Sequence, residues 1–142
     1  MAFEEKRAWI FIAVTLAAYL TYVAVVVTGA GDGPLAEASY VPAMLWSIGG
    51  AIVASVAAEV VVVAVGGRGQ RRKDERDREI DRFGTWVGHA FLVIGGVAAM
   101  VMAMLETPYF WIANAVYLCF ALSSLLGALA RIAAYRRGFQ PW

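Results

Sequence analysis

The sequence predicts an all-α integral membrane four-helix bundle, made of two antiparallel transmembrane hairpins with both termini cytosolic. Three observations carry that expectation. The chain has 142 residues, 61% of them hydrophobic and 16% charged, and a mean hydropathy of +0.67, far from the composition of a soluble globular protein. Its apolar residues fall into four long runs with almost no charge inside them. The charged residues, of net charge +1, are confined to short stretches between and beside the runs, and their distribution rather than their sum sets topology. At this length the four runs read as a single transmembrane domain over residues 1–142.

Residues 8–28 (AWIFIAVTLAAYLTYVAVVVT) form the first span. As a helix rising 1.5 Å per residue the run covers about 30 Å, the thickness of a hydrocarbon core. The residues before it, Glu4, Glu5, Lys6 and Arg7, are half acidic, and no good A-x-A site follows. A retained anchor is therefore expected rather than a cleaved signal peptide. The loop 29–40 carries Asp32 and Glu37 but no Lys or Arg, which suits the outer face. Span two, residues 41–66, is interrupted once, by Glu59, and ends at Gly66, Gly67 and Gly69, which favour a C-cap and a turn.

A charged hinge over residues 67–82 follows. Its core, RGQRRKDERDREIDR, holds seven of the twelve basic residues and five of the eleven acids. Arg71 with Glu75, Lys73 with Asp77, and Asp74 with Arg78 are opposite charges four residues apart, each worth roughly 0.2–0.5 kcal/mol on an exposed helix. Span three is thus expected to begin as a helix near Lys73, before its apolar part at 83–105. The turn Glu106-Thr107-Pro108 leads into span four, 109–130, and so short a connection makes the two an antiparallel hairpin. A tail, 131–142, returns Arg131, Arg136 and Arg137 to the surface.

Two basic residues precede span one, seven lie in the hinge and three in the tail, while the other two loops have none. This pattern places both termini and the hinge in the cytosol. Trp9 and Trp86 fall near the inner boundary, and Tyr40, Tyr109, Phe110 and Trp111 near the outer one.

Helices approach closely in lipid through small residues on one face. Span two offers Ser47, Ala51 and Ser55 at intervals of four, running into Glu59. Span three carries a GxxxG at Gly84 and Gly88, with Gly95 and Gly96 further on, and span four carries Gly127. These faces suit packing within the chain or a homodimer. Asn114, Tyr117, Thr15, Tyr19 and Tyr22 are uncharged polar groups of the kind that join helices. Met100, Met102 and Met104 do not share one face, so lipid or core contact is expected of them rather than metal binding.

Glu59 and His89 are the ionisable residues deep in the spans. In an antiparallel arrangement each lies about 10 Å inside the cytosolic boundary, where a carboxylate and an imidazole could share a proton. Against this, Glu59 could be protonated and hydrogen-bonded or reach water, and His89 could donate to a carbonyl. No span contains Lys, and no zinc-protease, C-x-x-C, phosphate-loop or dinucleotide motif is present. The single Cys119 and single His89 offer no metal site. No cofactor, nucleic acid or enzymatic activity is expected.

The hinge segment KDERDREIDRFG, with FWIAN at the start of span four and AYRRGFQPW in the tail, resembles the DER-x-x-x-I loop family of small four-span bacterial membrane proteins of actinobacterial type. The resemblance implies a bacterial cytoplasmic (inner) membrane location and a sensing or regulatory role, and supplies no catalytic residues. Two functions are therefore expected to compete. In the first, the chain is a non-enzymatic regulatory, sensing or accessory protein acting through partners. Its contact candidates for protein or lipid headgroup are Arg71, Arg72, Lys73, Arg76, Arg78, Arg82, Arg136 and Arg137. In the second, a homo-oligomer, a dimer being favoured, couples transport to protons through Glu59 and His89.

Overall fold

The computed structural model describes residues 3–66 and 75–138. They fold into helix α1, Phe3–Ala30, a single 3-10 turn at Leu35–Glu37, and helices α2, Val41–Gly66, α3, Glu75–Met104, and α4, Tyr109–Arg137. All four α-helices are long and apolar enough to cross a membrane. The protein is an all-helical, multi-pass membrane protein.

Three helices overrun the apolar runs that define their spans. Helix α1 begins at Phe3, α3 at Glu75 and α4 ends at Arg137, so the expected tail is helical over its first half. An apolar run fixes which residues meet lipid, but a helix stops only where its backbone loses partners. Here Glu5, Arg7, Asp77, Asp81, Arg131 and Arg136, beyond the runs, are held by neighbouring helices, and the helical backbone continues through them. With 30 residues, α3 is about 45 Å long and exceeds a hydrocarbon core of roughly 30 Å; the surplus is Glu75–Arg82. Arg71, Arg72 and Lys73, with the ion pairs expected of Arg71, Lys73 and Asp74, lie outside the described residues.

The helices pack in the order α3, α4, α1, α2, each chiefly on its neighbours in that row. Along α3 and α4 the contacts run in opposite directions: Gly84 faces Gly127, Gly88 faces Ser123, and Gly95 faces Cys119. The contact is close because these positions lack side chains. A Cβ on Gly84 would lie 2.7 Å from the Gly127 carbonyl oxygen, and one on Gly88 would lie 2.8 Å from that of Ser123. The GxxxG face is thus occupied within the chain. Gly96 is different, since nothing lies within 4 Å of a Cβ built there.

Between α3 and α4 the chain reverses at Glu106, whose φ of 54° lies in the left-handed region. Its N–H donates to Ala103 O at 3.1 Å and that of Thr107 to Met102 O at 3.0 Å, which closes the last turn of α3 as a Schellman motif. Pro108, with no N–H to leave unpaired, precedes α4.

Helix α1 meets α4 through two clusters. Ala8 and Ile12 pack on Ala128 and Ile132 towards one end, and Tyr22 and Val26 on Phe110 and Tyr117 towards the other. The rings of Tyr19, Tyr22 and Tyr117 meet edge-on or tilted, with centroids 4.8–6.3 Å apart. Helix α2 has no buried residue and is held mainly by α1. The Ser47 hydroxyl donates to Ala18 O at 2.9 Å and is hydrogen-bonded to the Tyr117 hydroxyl. The small-residue stripe Ser47, Ala51, Ser55 therefore turns towards α1 and the hollows beside it.

Candidate functional site

The row of helices brings the start of α1, the end of α2, the start of α3 and the end of α4 to one end of the bundle. Every Lys and Arg among the described residues is near this end of a span, and the loop 29–40 and the turn at 105–108 carry none. What forms there is a set of ion pairs between helices. Arg7 Nη1 lies 3.2 Å from both Glu4 oxygens, one turn back on α1, while Nη2 pairs with Glu59 of α2. On the other side, Arg131 Nε of α4 is 3.0 Å from Asp81 of α3. Its Nη2 donates to Thr85 Oγ1 at 3.2 Å, and Thr85 donates in turn to Asp81 O at 2.8 Å.

Two further links close this end. The Tyr135 hydroxyl donates to Asp77 Oδ1 at 2.8 Å. Arg136 Nε donates to Glu5 Oε1 at 2.9 Å and its guanidinium stands 5.8 Å from the centroid of the Trp9 ring, within cation–π range. Glu5 is only 7% exposed, so the pair supplies the compensation that a buried carboxylate requires. Ile80, between Asp77 and Asp81 in the sequence, is the one large side chain that is fully buried among the described residues.

Between α1, α2 and the ends of α3 and α4 these pairs border a cavity of about 270 Å³. Its polar rim is Glu4, Arg7, Glu59, Asp81 and Arg131, and Phe11 and Val56 contribute to its apolar wall. Among the described residues no three His, Cys, Asp or Glu side chains converge as a metal site would need.

The carboxylate–imidazole pair allowed by equal depth is not formed. Glu59 is bonded to Arg7, and His89 is exposed on α3. The reason is the order of the row: α2 and α3 stand at its two ends and make no extensive contact. Of the basic contact candidates within the described residues, Arg76, Arg78, Arg82 and Arg137 are exposed, whereas Arg136 is engaged with Glu5. Arg131, expected at the surface, lies against Gly84, where a Cβ would come within 2.5 Å of its Cγ.

Sequence reasoning named none of Glu5, Arg7, Asp77, Asp81, Arg131 and Tyr135 as a site residue, and considered Asp77 only as a partner of Lys73. The available signal was their position, within two turns of the end of an apolar run, together with Ile80 as the lone aliphatic side chain inside the charged stretch. Comparison with known proteins gives no match to a family model, to a curated protein or to a solved structure.

Proposed function

We propose that this chain is a small non-enzymatic protein of the bacterial cytoplasmic membrane, of regulatory, sensing or accessory type, that acts through a protein partner at its charged, cytosolic end. The observation that carries this reading is the division of labour among the charges there. On α1 and α4, Glu4, Glu5, Arg7, Arg131 and Arg136 are engaged in ion pairs, while Arg76, Arg78 and Arg82 stand exposed on the part of α3 that exceeds a bilayer core. A projecting helix with exposed basic side chains suits an acidic partner surface. The likeness of KDERDREIDRFG to the DER-x-x-x-I family adds to the same reading, and the twelve basic residues on one side of the spans support both termini being cytosolic.

If a second copy joins, α2 is the surface that suits it, since the GxxxG face of α3 is filled by α4 and no residue of α2 is buried. Proton-coupled transport, the competing reading, draws support from the cavity beside Glu59 but has no relay, because Glu59 faces Arg7 and not His89.

The test is affinity capture of the tagged, membrane-extracted chain with in-cell cross-linking. A stoichiometric partner is expected with wild type and is expected to fall at least about tenfold in Arg76→Glu/Arg78→Glu, the scale of losing close interfacial charge pairs. Capture unchanged by the reversal would reject this surface.

A further inference from the structure

Two hollows in the structure adjoin one another along α2. Behind the charged cavity of about 270 Å³ lies an apolar groove of about 490 Å³ between α1, α2 and α4, within the roughly 300–1,000 Å³ usual for ligand sites. Phe11, Ser55 and Val56 line both. Taken together, the two are ionic at one end and walled by Ile48, Ile52, Tyr117 and Phe120 at the other. It exists because α2 leans on α1 without extensive contact with α3 or α4, so the side of α2 towards α4 stays open.

Its length fits a lipid better than a compact solute. Along α2 it runs from Glu59 to Ile48, about 16 Å at 1.5 Å per residue, or roughly half of a 30 Å hydrocarbon core. That is the depth of one leaflet, measured from the end where the charges lie.

The ionic end selects among headgroups. Its rim holds three carboxylates, Glu4, Glu59 and Asp81, against two guanidiniums, Arg7 and Arg131. A purely anionic headgroup would meet the arginines but leave the carboxylates of the rim without a complement. A headgroup that joins an ammonium to a phosphate complements both signs, and the Glu59 side chain, 55% exposed beside Arg7, is open to a second donor. We propose that the cavity and groove together bind one phospholipid with a primary-amine headgroup, of the phosphatidylethanolamine type. Its ammonium donates to Glu59, its phosphate turns to the arginines, and one acyl chain lies in the groove. This site is separate from the α3 surface proposed for a protein partner and rests only on the membrane setting.

The experiment is native mass spectrometry of the full chain in mild detergent, after incubation with equal amounts of phosphatidylethanolamine and phosphatidylglycerol of identical acyl chains. Wild type is expected to retain the amine lipid about tenfold over the glycerol lipid, the scale of one charge-assisted hydrogen bond. Glu59→Gln should remove the preference and Glu59→Asp keep it. Ser55→Phe, which fills the joint between cavity and groove, should remove the amine-lipid adduct. Equal retention or a phosphatidylglycerol excess in wild type overturns the proposal, as does a preference undiminished in Glu59→Gln. If Glu59→Gln does not elute as folded protein, Ser55→Phe decides, and an adduct surviving there overturns the proposal too.

Discussion

At Gly84 a single methyl group would meet Arg131 Cγ at 2.5 Å and the Gly127 carbonyl oxygen at 2.7 Å. The second neighbour is backbone and cannot step aside. Gly84→Ala is therefore expected to destabilise the protein by about 1–3 kcal/mol, the usual cost of overpacking. Gly96→Ala, with open space around it, should be neutral or gain up to about 1 kcal/mol from helix propensity. Thermal unfolding of both in the same detergent, followed by circular dichroism, checks the contrast, and equal midpoints would contradict the close approach. Spacing made Gly84 and Gly88 legible in the sequence, since GxxxG places both on one face. It could not separate Gly95 from Gly96, because adjacent residues differ only in rotation about the helix and the position of the neighbour is not written locally. Glu59 was legible as a charge inside an apolar run. Its partner was not, for Arg7 belongs to a helix that could have stood on either side of α2.

Helix α2 shows what an element can and cannot disclose. Its length and the stripe Ser47, Ala51, Ser55 follow from the sequence, and the stripe does turn towards a neighbour. That neighbour holds it by few bonds. Ser47 is bonded both to Ala18 O and to the Tyr117 hydroxyl, and intramembrane hydrogen bonds of this kind average about 0.6 kcal/mol. Tyr117→Phe and Ser47→Ala should each cost on that order, and the double variant less than their sum, because both remove the same contact. A double-mutant cycle in reversible detergent unfolding measures the coupling; strict additivity would mean that the two hydroxyls do not interact. Helix ends were the least legible feature. Apolar length marks where lipid contact stops, whereas α3 and α4 continue because Asp77, Asp81, Arg131 and Tyr135 find partners on each other's helix.

For the whole molecule the decisive quantity is the asymmetry of charge between its two ends. With all basic residues near one end, cysteine introduced at Glu37 in a Cys119→Ala background should react with a membrane-impermeant maleimide on intact cells, and cysteine at Arg78 only after permeabilisation. The opposite labelling pattern would reverse the orientation. Short connections let the sequence predict which consecutive helices are neighbours. Nothing local announces that α1 lies on α4, because an interface between Ile12 and Ile132 depends on matching surfaces at opposite ends of the chain. The same pairing gathers the charges of Glu5 and Arg136, so the candidate site and the order of the row share one cause.

That pairing also sets a timetable for synthesis. The apolar partners of Ala8 and Ile12 are Ala128 and Ile132, residues that leave the ribosome long after them. Until α4 enters the bilayer, α1 has only α2 beside it, and the buried Glu5 has no Arg136 to neutralise it. Bundle closure is consequently a long-range event that waits for α4, and until then the side of α1 that carries Ala8, Ile12, Tyr22 and Val26 lacks its partner helix.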